Sequence, residues 1–397
     1  TYSILQCYRE YDFTAYFNCG CNNNEFGIFR YRVFIPVFGG WIADALVGKY
    51  NTIFWSGIIT LLGLLLQIIG ASFYDKDHTV WIQTYSVSFV FIALGSGGLR
   101  SNILTLGAEK FEGKGSEAVR KYFNWSYWFV NFSLVIPYLG LIYLQDNSHW
   151  LWGSLIPYIC LLISLSVFTV VESKYANTPI RGSPICDVIG VCWFSTCKRK
   201  SLDNFECKYS KETVDRVRAF SKLLPICGLH VIYWAVNVQS TTTFFLQSQR
   251  LRKEFKNMPV AMLNLFNALA VTLTVIIMEV VVFPYLKRRN CHLTLLKRLG
   301  IEFAYLEAPH MMKGLCMGLF LETAGVGSMF VLILFAIIAN HSDWFPDEIN
   351  NGHLEYIFFL LSIILFLNFC LFLYVASCYK YTRETNETVS NRFDESH

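Results

Sequence analysis

Charge is scarce in this chain. Only 16% of its 397 residues are Asp, Glu, Lys or Arg, while 54% are hydrophobic and 17% aromatic, and the mean hydropathy is +0.39. A water-soluble domain of this length could not hide so much apolar surface, so the composition implies an integral membrane protein. Paired metal-binding cysteines are also missing. The 13 cysteines are scattered; Cys19 and Cys21, or Cys186, Cys192 and Cys197, lack the CxxC pairs and nearby histidines of a zinc site, so free or buried thiols are expected and no metal. No basic face is interleaved with aromatics, and the net charge of +4 is spread over the connecting segments, which excludes nucleic acid as a partner. No cleavable signal peptide is expected at the start, where Arg9, Glu10 and Asp12 interrupt any apolar run, so the spans themselves target the chain. None of the polar residues weighed below forms a nucleophile and base pair, so an enzyme is not expected.

Long apolar runs, in contrast, are abundant. A membrane span takes about 20 mostly apolar residues, because a rise of about 1.5 Å per residue must cross about 30 Å of hydrocarbon. Eight stretches qualify: 52–72, 80–105, 126–144, 150–171, 222–247, 260–285, 311–339 and 354–378. The run 33–47 is too short and reads as half of a ninth. Lys and Arg concentrate in 107–122, 172–221 and 286–298, three connections that alternation places on one side, taken as cytosolic. The connections near 75, 147 and 345 are short and acidic or neutral. The basic stretch 249–257 is the exception to this rule.

The polar segment 172–221 divides the spans into two groups, an arrangement of two helical bundles joined by a cytosolic linker that many transporters share. The expected organisation is a divergent segment 1–32, an N-terminal bundle 33–171, the linker 172–221, a C-terminal bundle 222–380 and a polar, disordered tail 381–397. Asn340 opens an Asn-His-Ser sequon on the noncytosolic side and is a candidate glycosylation site.

Within GGWIADALVGKY, residues 39–50, Gly40, Asp44 and Gly48 recur every four residues and Lys49 follows. Small residues at that spacing let helices pack closely. An acid there can accept hydrogen bonds from a neighbouring helix N-terminus or pair with a base; a plain polar turn is the rival reading. The pattern resembles the loop motif of the major facilitator superfamily. Further stretches, GSGGLRSNILTLGAEKF (95–111), KYFNWSYWFVNFSLVIPYLGLIYLQ (121–145), YWAVNVQSTTTFFLQS (233–248), FNALAV (266–271) and IEFAYLEAPHMMKGLCMGLFLETAGVGSMF (301–330), resemble the proton-coupled oligopeptide transporter family, solute carrier family 15, and its peptide/histidine branch. The resemblance covers nearly all of 33–380. It departs from the family in two places. No ExxER motif precedes residue 33, so the first helix and half of the second are expected to be missing or replaced, and at RLGIEFAYLEAP two helices are missing. The expected fold is therefore all-α, multi-pass and of the major facilitator type, with about eight to nine spans instead of twelve.

The resemblance implies symport of di- or tripeptides or histidine with protons as coupling ion and no other cofactor, in an endolysosomal or plasma membrane. A transport-inactive variant or membrane scaffold, binding proteins through 172–221, is the alternative. Arg100 occupies a position where the family has a cavity-facing basic residue; a snorkelling arginine is the rival. Tyr127 and Asn131, four apart on one helical face with Asn124 three before, match a family Tyr and Asn that line the cavity, though polar groups also glue helices together. Gln239, Thr243 and Gln247 form a similar stripe, and Asn267 in FNALAV resembles a cavity asparagine. His230, Trp234 and Asn237 read as packing before proton relay. Glu322 in GLFLETAG puts a carboxylate inside an apolar span, which suits either a group that takes up and releases a proton or a structural pair; it joins Arg100 as a proton-coupling candidate. Glu279 is expected, with Gly40, Asp44, Gly48 and Lys49, to act in gating.

Overall fold

The structure, a computed structural model, describes residues 35–73, 78–141, 150–171, 211–241, 264–288, 301–309, 312–341, 344 and 353–378. Regular structure among the described residues is helical throughout, as apolar segments require where lipid offers no partner to the backbone. In chain order, α1 is Ile35–Ile42, continued by a π-helical turn Ala43–Val47, and α2 is Lys49–Ala71. α3 is His78–Glu112, α4 Ser116–Ile136 with a π-helical turn Pro137–Leu141, and α5 Trp150–Val170. α6 is Lys211–Asn237 and α7 Asn264–Ile277, the latter running through a π-helical turn Met278–Val282 into α8, Phe283–Arg288. α9 is Ile301–Glu307, α10 Lys313–His341 and α11 Leu354–Cys378.

Seven of these helices are long and apolar enough to cross a membrane, and Pro36–Val47 is a shorter apolar helix. The expected span 126–144 is not among the seven. Its helix starts at Ser116 and continues through the π-helical turn to Leu141, and 142–144 lie outside the described residues. α6 begins at Lys211, within the segment 172–221 expected as the linker. The segment 1–32, the rest of the linker and the tail lie outside the described residues.

Small residues set the packing of α1. A Cβ on Gly39 would lie 2.7 Å from Gly98 Cα, and one on Gly40 would lie 2.1 Å from the Gly314 carbonyl oxygen. Only glycine permits these approaches, and they wedge α1 between α3 of the first half and α10 of the second. Asn102 reinforces the first contact by donating to the Gly39 carbonyl over 3.1 Å. Gly48, at φ +85°, turns the chain from α1 into α2, a conformation that costs an L-residue roughly 1 kcal/mol or more.

Two buried clusters then join the halves. In one, Phe220, Leu223, Phe303, Met312 and Leu315 receive Val37 and Trp41 of α1. In the other, Ala108, Val119 and Phe123 of the first half meet Ala304, Tyr305, Met317 and Phe320 of the second. Hydroxyls inside the spans are satisfied locally: Thr60, Ser101 and Thr272 each donate to the carbonyl four residues earlier, as apolar surroundings demand. The outer flanks of α5 and α11 expose large side chains such as Val170 and Phe366, suited to lipid contact.

Candidate functional site

The polar chemistry gathers at the end where α1 and α3 finish and α2 and α10 begin, the end expected to face the cytosol. Asp44, buried at 8% exposure, accepts a hydrogen bond from the Leu315 backbone N–H on Oδ2 over 2.9 Å. Leu315 belongs to the first turn of α10, whose amides have no partner within the helix and whose dipole favours negative charge. Lys49 Nζ lies 3.8 Å from Asp44 Oδ1 and donates to Glu109. One turn on, Glu112 accepts from both Lys313 and Tyr305, and the Lys313 ammonium sits 4.2 Å from the centroid of the Tyr305 ring. Burial first, then the Glu112 carboxylate, pushes the Tyr305 phenol well above its ordinary range.

Asp44, Lys49, Glu109 and Glu112 come from the first half; Tyr305, Lys313 and Leu315 come from the second. Both lysines are almost wholly enclosed, whereas Glu109 and Glu112 keep about a quarter of their side chains in contact with solvent. Such contacts are strong while assembled and, once one partner leaves, costly to keep buried. Chemically, the arrangement is a clasp between two bodies.

A second polar surface lies where α4 packs against α7 and approaches α6. Tyr127 is exposed, and Asn131 donates to the Tyr127 carbonyl over 2.8 Å. Tyr127 lies near Tyr233 of α6, which hydrogen-bonds Asn237. Asn267 is exposed on α7 and Arg100 on α3. On α6, Trp234 Nε1 donates to His230 Nε2 over 2.9 Å, and the His230 ring stacks on Phe320 at 4.4 Å. That imidazole is held by rings and one indole, which is the packing role. No group of three or more metal-ligating side chains occurs among the described residues.

A family model described as "POT family" matches residues 50–208 and 197–302. The chain belongs to the POT family. Among its relatives, Protein NRT1/ PTR FAMILY 8.1 of Arabidopsis thaliana is 25% identical, the alignment covering 88% of this chain and 85% of the relative. Solute carrier family 15 member 3 of Mus musculus is 23% identical over 87% of this chain and 82% of the relative. An auto-inhibited POT family peptide transporter of known crystal structure superposes with a TM-score of 0.67 at 20% identity, covering 89% of this chain and 88% of that one. The fold is thus of the POT and major facilitator type, and the protein is an integral membrane protein of a transporter family. The first alignment runs over 484 positions on a chain of 397 residues, so that relative holds stretches without a counterpart here.

On this POT-family frame the predicted residues separate into groups. Gly40, Asp44, Gly48 and Lys49 come together at the clasp. Arg100, Tyr127, Asn131 and Asn267 lie on exposed faces of α3, α4 and α7, whereas Gln239 is buried and donates to the Ala235 carbonyl over 3.2 Å. Glu322 is buried within α10. Thr243 and Gln247 lie outside the described residues, as do the side chains of Glu279 and Asn340. Sequence reasoning missed Glu109, Glu112, Tyr305 and Lys313. The first two were visible in GAEKFEGK only as charges of a cytosolic connection, and the last two stood in quoted motifs without an apparent partner. Tyr233 was likewise passed over between His230 and Trp234.

Proposed function

We propose that this POT-family chain is a proton-coupled symporter of di- or tripeptides, or of histidine, working by alternating access. The observation that carries the reading is the clasp itself: the halves are held at one end by separable ion pairs and a helix-terminus contact, while polar side chains from α3, α4, α6 and α7 are available to a solute elsewhere. In this scheme Tyr127, Asn131, Thr243 and Asn267 bind the solute; Gln239, expected among them from the sequence, is enclosed and donates to the Ala235 carbonyl instead. Arg100 binds it too and, with Glu322, couples it to protons. Gly40, Asp44, Gly48, Lys49 and Glu279 serve the gate. A proton entering down the membrane potential supplies about 2.3 kcal/mol per 100 mV, enough to drive rocking of one bundle against the other. An endolysosomal membrane, with export towards the cytosol, suits a carrier driven by luminal acid; the plasma membrane is the second candidate.

The test is uptake of labelled histidine and of a labelled dipeptide under an inward proton gradient, comparing this chain with its Arg100→Ala variant. Uptake that requires acid outside and falls at least tenfold in the variant, with unchanged thermal stability, supports the reading. Acid-independent or absent uptake by the parent chain overturns it. One observation favours a second reading: relatives contain stretches that this chain lacks, which fits a transport-inactive variant or a membrane scaffold that offers 172–221 to protein partners. Absence of uptake together with stable membrane insertion would favour that alternative.

A further inference from the structure

Glu322 lies nine residues beyond Lys313 in α10, about 13 Å along the helix axis. That depth is near the middle of a hydrocarbon layer about 30 Å thick. The residue is 4% exposed, its Oε2 is buried without a hydrogen-bond partner, and no ion pair reaches it among the described residues. Among the described residues, a carboxylate placed this way finds no counter-charge to stabilise it, whereas the protonated acid bears no such cost.

The side of α10 that carries Glu322 decides what its proton is linked to. At about 100° per residue, Glu322 stands about 40° from Gly318 and about 80° from Gly314. Those two glycines form the flank on which α1 lies: a Cβ on Gly318 would sit 2.4 Å from the Pro36 carbonyl, and one on Gly314 would meet the Asp44 carboxylate. Phe320, which carries the His230 ring, points about 160° away. Glu322 therefore continues that flank one turn beyond the Gly318–Pro36 contact, at the end of the α1–α10 seam where described α1 begins.

The other ionisable groups near α10 stand apart from it. α1 has none. Asp44, Glu112, Tyr305 and Lys313 are engaged at the clasp, about two turns closer to the cytosolic end. On α3, Arg100 is two residues beyond Gly98, which packs on Gly39, and so is level with the base of α1. On α6, His230 stands on the opposite flank, and on α11 Glu355 belongs to the first turn at the far end.

We propose that Glu322 is a proton-binding site linked to the α1–α10 seam: it holds a proton while the seam is closed and gives it to water when the halves part there. This inference rests on the transport reading and deepens it, because it names the step at which the proton leaves. The closed state then binds one proton more than the opened state. Closure is favoured at low pH and weakened as pH rises, by up to about tenfold in the closed-to-open ratio per pH unit between the two protonation midpoints.

The experiment measures the distance between noncanonical spin labels at Glu117 of α4 and Asp215 of α6, exposed at the cytosolic ends of the two halves, in full-length protein in nanodiscs. The expected result is a closed fraction that falls from about pH 5 to about pH 8 with a one-proton slope, and a Glu322→Gln variant that stays closed without that slope. A variant that keeps the wild-type slope, or a wild-type chain that has none, overturns the proposal. Should the variant fail to fold, dicyclohexylcarbodiimide, which adds to protonated carboxyls in apolar surroundings, replaces it. Modification of the Glu322 peptide that declines with rising pH supports the proposal, and no modification at acid pH overturns it. Neither measurement needs a solute, so its failure removes this linkage and leaves the transport reading to the uptake assay.

Discussion

Replacing Asp44 by Asn isolates the charge at the clasp, because the amide keeps the size of the side chain and an oxygen able to accept from the Leu315 N–H. Three contributions change. The hydrogen bond to Leu315, now 2.9 Å long from a carboxylate, loses its charge-assisted share, about 1 kcal/mol. The attraction between the carboxylate and the α10 N-terminus disappears, about another 1 kcal/mol at a partly buried site. The Lys49 ammonium, 3.8 Å away, retains Glu109 as its nearer partner, and its lost attraction is offset by the lower cost of burying a neutral amide. The closed state should therefore lose about 2 kcal/mol relative to the open one, a shift of roughly 30-fold. A closed-to-open ratio of about nine would fall to about one third. Distance distributions between labels on the two cytosolic ends measure this ratio directly. Asp44→Ala should shift it further, since it also strands a buried backbone N–H. A shift of less than about threefold in Asp44→Asn would mean that the carboxylate charge does not hold the halves together.

Other expectations follow from the same geometry. Gly40→Ala places a Cβ 2.1 Å from the Gly314 carbonyl; with backbone on both sides, the seam has to open by roughly 1 Å, and stability should drop by about 3 kcal/mol or more, visible as a lowered melting temperature. Glu112→Ala leaves the enclosed Lys313 charge behind and should cost about 3 kcal/mol; Lys313→Ala leaves Glu112 partly in solvent and still bonded to Tyr305, and should cost less. The double variant should cost clearly less than their sum, and additivity in thermal or denaturant unfolding would show that the pair is not coupled.

The helices were legible because lipid leaves the chain so little choice. Runs such as 354–378 and 52–72 are apolar on every side, and the described helices follow them closely. The 126–144 stretch is helical throughout its described part, but its helix begins earlier, among the charges after Ser116. Of the four-residue repeat read as close packing, Gly40 packs on Gly314, whereas Gly48 has open space around it and makes the turn; both possible partners of Asp44, a helix terminus and a base, are present together.

What the sequence withheld was pairing. Leu315 is 271 positions from Asp44, and Lys313 is 201 from Glu112; nothing local links them. Glu109 read only as a charge of the connecting segment 107–122, and Lys313 stood inside the expected span 311–339 with no visible partner, so neither pointed to the other half. The polar stripes show the same limit from another side. Spacing by four put Tyr127 and Asn131 on one face of their helix, and Gln239 four residues from Thr243, equally well. Only the rotation of each helix against its neighbours leaves the first pair open and encloses Gln239. Beside Gln239 that rotation is held by Gly327 of α10, where an added Cβ would lie 2.7 Å from the Val231 carbonyl oxygen and 2.8 Å from the Ala235 nitrogen of α6. A glycine on one helix thus helps to decide which polar groups of its neighbour a solute can reach.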